Sequence, residues 1–212
     1  MIPKKELLKD ILLNKVSPFL CRKLSVRACH SMSIIVAEIL NKYDVRAEVQ
    51  TCRSVFANEK WKKAMKERGE DWIAARIEDG TLPQDVWSVG IGFNTVGSGK
   101  DRKYEPYPIH AVVHLPDEGE IIDLAAHQAD RPDHDLRVKP MWTKKDNPDP
   151  PMVSCDFIPQ KSSPKIFGMD REEVRYFCTV VEGMILEWHQ NREVVDGDGS
   201  HSEESKHRGV SC

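Results

Sequence analysis

The segment Cys29 to Tyr43, CHSMSIIVAEILNKY, constrains this chain most. Its apolar residues Met32, Ile35, Val36, Ile39, Leu40 and Tyr43 recur at i, i+3, i+4, i+7, i+8 and i+11. That spacing puts them on one side of a helix and leaves Glu38, Asn41 and Lys42 on the other. Such a stripe must be buried against a second layer. The next segment, VRAEVQTC, supplies one: Val45, Ala47, Val49 and Thr51 alternate with polar neighbours, the period of a strand.

Further elements follow the same rules. Pro3 to Asn14 reads as a short helix with Leu7, Leu8, Ile11 and Leu12 on one side, and SPFLCRKLSVRA has no clear period. Asn58 to Glu78 is charged and helical, carries Trp61, Met65, Trp72, Ile73 and Ile77, and ends at Gly80 and Pro83. Val86 to Phe93 reads as a strand, followed by a Gly-rich, charged loop. Ile109 to Leu115 and Glu120 to Ala125 read as two strands of a hairpin joined by the turn PDEG. Residues 129–163 are rich in Pro and Asp, with MVSCDFI a short edge strand among them and Pro148, Pro150 and Pro151 a stiff connector. Arg171 to Gln190 is a final helix capped by Asp170, with Val174, Phe177, Cys178, Val181, Ile185 and Trp188 on one stripe. Runs of helices beside runs of strands predict an α+β layer rather than an alternating parallel sheet.

Composition bounds the function. The chain has 212 residues, 31 basic and 34 acidic, for a net charge of -3. That balance argues against a nucleic-acid partner, which selects a basic surface. No window approaches the ~18 apolar residues of a membrane span, and the N-terminus has charges where a signal peptide is apolar. The expectation is a cytoplasmic chain with no membrane association, organised as one domain over 1–190 and a disordered tail over 191–212. Its six cysteines, Cys21, Cys29, Cys52, Cys155, Cys178 and Cys212, then stay reduced. None forms a Cys-x-x-Cys pair, so no metal and no cofactor is expected. His110 and His114 share a strand face but stand ~13 Å apart by strand rise, too far to ligate one ion together.

Three residues combine into a chemistry. Cys29 opens the amphipathic helix on its inward stripe, where the positive end of the helix dipole favours a thiolate. The bland reading is a small packing residue. His110 opens the strand IHAVVHL and shares a face with Val112 and His114; an exposed imidazole on a sheet is the alternative. Asp123 interrupts the apolar strand EIIDLAA, where a buried carboxylate needs a partner, unless it only starts a turn. If the hairpin centres on Glu118 and Gly119, residue 123 faces about 114, and a different turn register brings it closer to His110. Together the three have the parts of a thiol nucleophile, an imidazole base and an orienting carboxylate, with the Cys29 N–H as half of an oxyanion hole. Of the other thiols, Cys52 is the runner-up nucleophile, Cys21 lines the pocket, Cys178 is core, and Cys155 and Cys212 fall in the Pro-rich segment and the tail.

This order resembles the transglutaminase-like superfamily of papain-like cysteine enzymes. The residues that carry the likeness are the helix beginning at Cys29, the motif His-Ala-Val-Val at His110 to Val113, and Ile-Ile-Asp-Leu at Ile121 to Leu124. It spans residues 25–126. The resemblance implies a Cys-bearing helix packed on an antiparallel sheet, with 58–83 a helical insertion. It further implies a Cys29, His110, Asp123 triad acting on a peptide, protein or small amide or acyl substrate as peptidase, amidase, deamidase or acyltransferase. The chain departs from the pattern at His30, where an aromatic residue is common near the cysteine, at Val112, where Trp often follows the His-Ala pair, and at Leu124. A member of the same fold without activity, with the charged 58–78 helix as a binding surface, is the alternative.

Overall fold

β1 (Glu48–Ala57) is the strand on which the sheet is built. The protein is described by a computed structural model covering residues 5–24, 28–96, 103–106, 110–158 and 170–197. Along one edge β1 pairs first with β5 (His110–Leu115), from Glu48↔His114 to Cys52↔His110. It then pairs with β2 (Ser88–Ile91), from Ser54↔Ile91 to Ala57↔Ser88. Its other edge takes β8 (Met152–Phe157). The sheet continues through β6 (Glu120–Asp123) and β7 (Met141–Lys144), all antiparallel. The architecture is α+β.

Helices cover one face. α3 (Ala28–Lys42) lays the expected stripe on the sheet, with Met32, Ile35, Val36, Ile39 and Leu40 buried against Val113, Leu115 and Ile122. Each such side chain contributes roughly 1.5–3 kcal/mol of hydrophobic stabilisation. Ser33 Oγ donates to the Ala111 carbonyl and fixes the helix along β5. α1 (Lys5–Ile11), α2 (Ser17–Lys23) and α6 (Arg171–Gly197) complete this core. The other face is covered by residues 126–138, with Ala126, Ala129, Leu136 and Val138 packed on Cys52, Phe56, Val112 and Cys155. Both faces of β5 are therefore buried, which sets aside the alternative of an exposed imidazole at His110.

Several boundaries differ from the sequence expectation. The aperiodic SPFLCRK is helical, because a π turn (Leu12–Val16) joins α1 to α2, with the Ser17 N–H bonded to the Leu12 carbonyl. The wider turn absorbs Pro18, which has no N–H to give a regular helix. β1 runs five residues beyond Cys52, through Arg53 and Ser54, whose polarity breaks the alternation although Ser54 is wholly buried between two partner strands. The segment 58–78 is two helices, α4 (Glu59–Arg68) and α5 (Glu70–Glu78), divided at Gly69 with φ +81°. Asn58 caps α4, accepting from Trp61 N–H and donating to the carbonyls of Asp85 and His134.

The expected strand 86–93 is broken at Gly92. Its φ is +88°, and a Cβ there would lie 2.3 Å from the Cys52 carbonyl oxygen. Beyond it β3 (Phe93–Val96) pairs with β4 (Lys103–Pro106), so part of the expected loop is a second, two-stranded sheet. β7 lies inside the stretch read as Pro-rich and irregular. α6 continues past Gln190 to Gly197, so the tail expected from Asn191 is helical at its start; 198–212 lie outside the described residues. The same holds for Ile109, for 159–163 and for Cys212.

Candidate active site

The hairpin sets the register of the site. PDEG is a four-residue connection, closed by the Glu118 N–H on the Leu115 carbonyl, and Leu115 pairs with Glu120 and Val113 with Ile122. This places Asp123 level with Val112, two residues nearer His110 than a pairing with residue 114 would. His110 and Asp123 are then diagonal neighbours on one face, within reach of each other. The His110 Nε2 and Asp123 Oδ2 are 2.8 Å apart, and both side chains are fully buried. The second carboxylate oxygen accepts from the Ala125 N–H at 3.0 Å. Asp123 therefore both starts a turn and holds an imidazole; the two readings of the sequence were not exclusive.

With Nε2 committed to Asp123, Nδ1 is the imidazole nitrogen available to another group. It is buried and makes no hydrogen bond of ordinary geometry. Cys29 lies in the first described turn of α3, where its thiol and the His110 ring each shift the other's ionisation. Loose contacts between nucleophile and base are usual before substrate binds. Burial pushes the Cys29 thiol up, but hydrogen bonds to His110 and His30 and the charges of both rings outweigh it and bring it down to about 6. Burial alone would hold His110 down; the charge and hydrogen bond of Asp123, reinforced by Cys29, raise it to about 10. Between these values the pair is a thiolate and an imidazolium, the form in which a cysteine is nucleophilic. The Cys29 residue is 2% exposed, so reagents reach it through local opening.

The other cysteines fall into different settings. Cys52 stands directly across from His110 on β1. Its thiol is pushed well up by a hydrogen bond with Cys155 and by burial, which sets it against a nucleophilic role. Cys155 lies on the short edge strand expected within the Pro-rich segment, now β8, and neighbours Cys52 close to the His110–Asp123 pair, a placement that only the β1–β8 register reveals. Cys178 is core and faces the Ile35 carbonyl. Cys21 is half-buried, 3.6 Å from His127 Nε2, with its thiol pushed up by burial.

Sequence reasoning passed over His30, treating it as a departure from a family pattern. It is 6% exposed, and its Nδ1 lies 3.9 Å from the Cys29 sulfur. Its adjacency to Cys29 was the available signal. Neighbouring helix positions project ~100° apart, so nothing in the periodicity brings the two together.

Among the described residues no group of three or more His, Cys, Asp or Glu side chains is placed to hold a metal ion, and no helix is long and apolar enough to cross a membrane. No protein-family model, curated protein or solved structure matches this chain.

Proposed function

We propose that this chain is a thiol-dependent enzyme that attacks an amide or acyl bond through Cys29, His110 and Asp123, on a domain of the transglutaminase-like or papain-like type. The observation that carries the reading is the His110–Asp123 pair at 2.8 Å, buried beside the thiol at the start of α3. Buried ionic groups are costly unless they are paired, and chemistry is one reason to keep them.

The mechanism follows from the protonation states. The Cys29 thiolate adds to the carbonyl carbon of the substrate. The imidazolium gives its proton to the departing amine or alkoxide as the carbon–nitrogen or carbon–oxygen bond breaks, leaving a thioester on Cys29. A water or an amine then loses its proton to His110 while attacking the thioester, and the Cys29 thiolate is expelled. Asp123 holds the ring by Nε2 throughout and stabilises its charged form. The N-terminal end of α3 favours the negative charge on sulfur and on the adjacent oxyanion.

An acyl-electrophile probe tests this. Modification should map to Cys29, vanish in Cys29→Ala and slow in His110→Ala. Labelling that is equally slow at every cysteine favours the second reading, a non-catalytic binding module, for which the 2% exposure of Cys29 is the supporting observation.

A further inference from the structure

The thiol of Cys29 is flanked by two imidazoles, and the mechanism above uses one. His30 is nearly buried, and its hydrogen-bonding contact among the described residues is the Cys29 sulfur, 3.9 Å from Nδ1. A ring on the next helical residue has to fold back to make that contact, since successive side chains diverge. Thiolate sulfur accepts hydrogen bonds far better than thiol sulfur, because the acceptor is charged. A donor in this place therefore acts on one protonation state of the nucleophile.

We propose that His30 is a positioning residue for the Cys29 thiolate, its Nδ1–H donating to the sulfur alongside His110. This rests on the reading of Cys29 as the nucleophile. It gives the two histidines different tasks. His110, held at Nε2 by Asp123, carries the proton to and from the reacting group. His30 exchanges no proton. It steadies the anion before attack, and it stabilises the sulfur again when the thioester collapses and the thiolate leaves. Among the described residues, His110 from β5, with Asp123 of β6 behind it, and His30 from α3 itself act on Cys29.

The test is the pH profile of iodoacetamide labelling at Cys29, read by peptide mass spectrometry so that half-buried Cys21 does not contribute. Wild type is compared with His30→Phe, which keeps a ring and removes the donor, and His30→Asn, whose amide nitrogen replaces Nδ1. Removing a charge-assisted donor should raise the midpoint by about one pH unit in His30→Phe, a ~2–3-fold net loss of rate at and below pH 6 once the greater nucleophilicity of the more basic thiolate is counted, and His30→Asn should restore most of the midpoint.

An unchanged midpoint in His30→Phe overturns the role of His30 and leaves the nucleophile reading intact. Equal shifts in both variants overturn it too, since they indicate packing rather than donation. A wild-type midpoint above 8 overturns the nucleophile reading itself. Nitrogen-15 NMR of the wild-type protein gives an answer that requires no variant to fold: the His30 Nδ1 must carry a proton, and a bare Nδ1 overturns the proposal.

Discussion

Replacing His110 with alanine should change the pH dependence of Cys29 alkylation more than its rate at neutral pH. The thiol now ionises at about 6, against an ordinary value of 9.0, and the principal group lowering it against burial is His110. Without the imidazole the thiol should return to about 9 or higher, because burial and the nearby Asp123 charge both oppose a thiolate. At pH 6 the thiolate fraction then falls from about one half to about 0.1%, and at pH 7 from about 90% to about 1%. A more basic thiolate is a better nucleophile, by roughly 20-fold over three pH units at a Brønsted slope near 0.45. The net effect is a variant ~25-fold slower at pH 6, only ~4-fold slower at pH 7, and faster than wild type above about pH 8.

The assay is pseudo-first-order iodoacetamide labelling from pH 5 to 10, followed on the Cys29 peptide. Circular dichroism should confirm that the variant is folded, since unpairing buried Asp123 costs about 3 kcal/mol. A variant that is slower by the same factor at every pH would refute the reasoning, because it would mean that His110 governs access to the thiol and not its ionisation.

Three more outcomes follow from the same structure. In Asp123→Asn the His110 ring should lose its proton well below about 10, read from its NMR shifts, because the carboxylate no longer offsets burial and Cys29 is the weaker opposing group. Glu120 is resisted by burial but held down to about 2, against 4.5, by hydrogen bonds from Lys5, Trp142 and Lys144. A depressed carboxylate contributes stability above its unfolded value and loses it as pH falls through its folded one. Glu120→Gln should therefore lower the urea midpoint at pH 6, and the difference should close between pH 4.5 and 2. Gly92→Ala should destabilise the protein by on the order of 2 kcal/mol or more in urea unfolding, because φ +88° and a Cβ 2.3 Å from the Cys52 carbonyl oxygen cannot both be relieved in place.

Periodicity found what repeats and missed what depends on pairing. The stripe Met32 to Tyr43 was legible because every member faces one layer. β7 was not, since MWTK is too short to show alternation and owes its structure to β6. Residues Arg53 to Ala57 were lost to the sequence reading because polar side chains there are buried by partner strands on both edges. The three candidate site residues were legible singly, as a thiol opening a helix, a histidine opening a strand and an aspartate inside an apolar run. Their geometry was not, because a four-residue turn rather than a two-residue one decides whether Asp123 lies near His110. His30 and the Cys52–Cys155 contact escaped for a similar reason: the first needs a ring folded back along its own helix, the second a register between strands about 100 residues apart.

The central claim is that Cys29 rests as a thiolate at neutral pH. Thiolate absorbance at 240 nm, titrated from pH 4 to 10 in wild type and Cys29→Ser, measures this directly. A thiolate should appear with a midpoint near 6 in wild type and be absent from the Cys29→Ser curve. If no thiolate forms below pH 8, or if the one that does survives in Cys29→Ser, Cys29 is not the activated nucleophile.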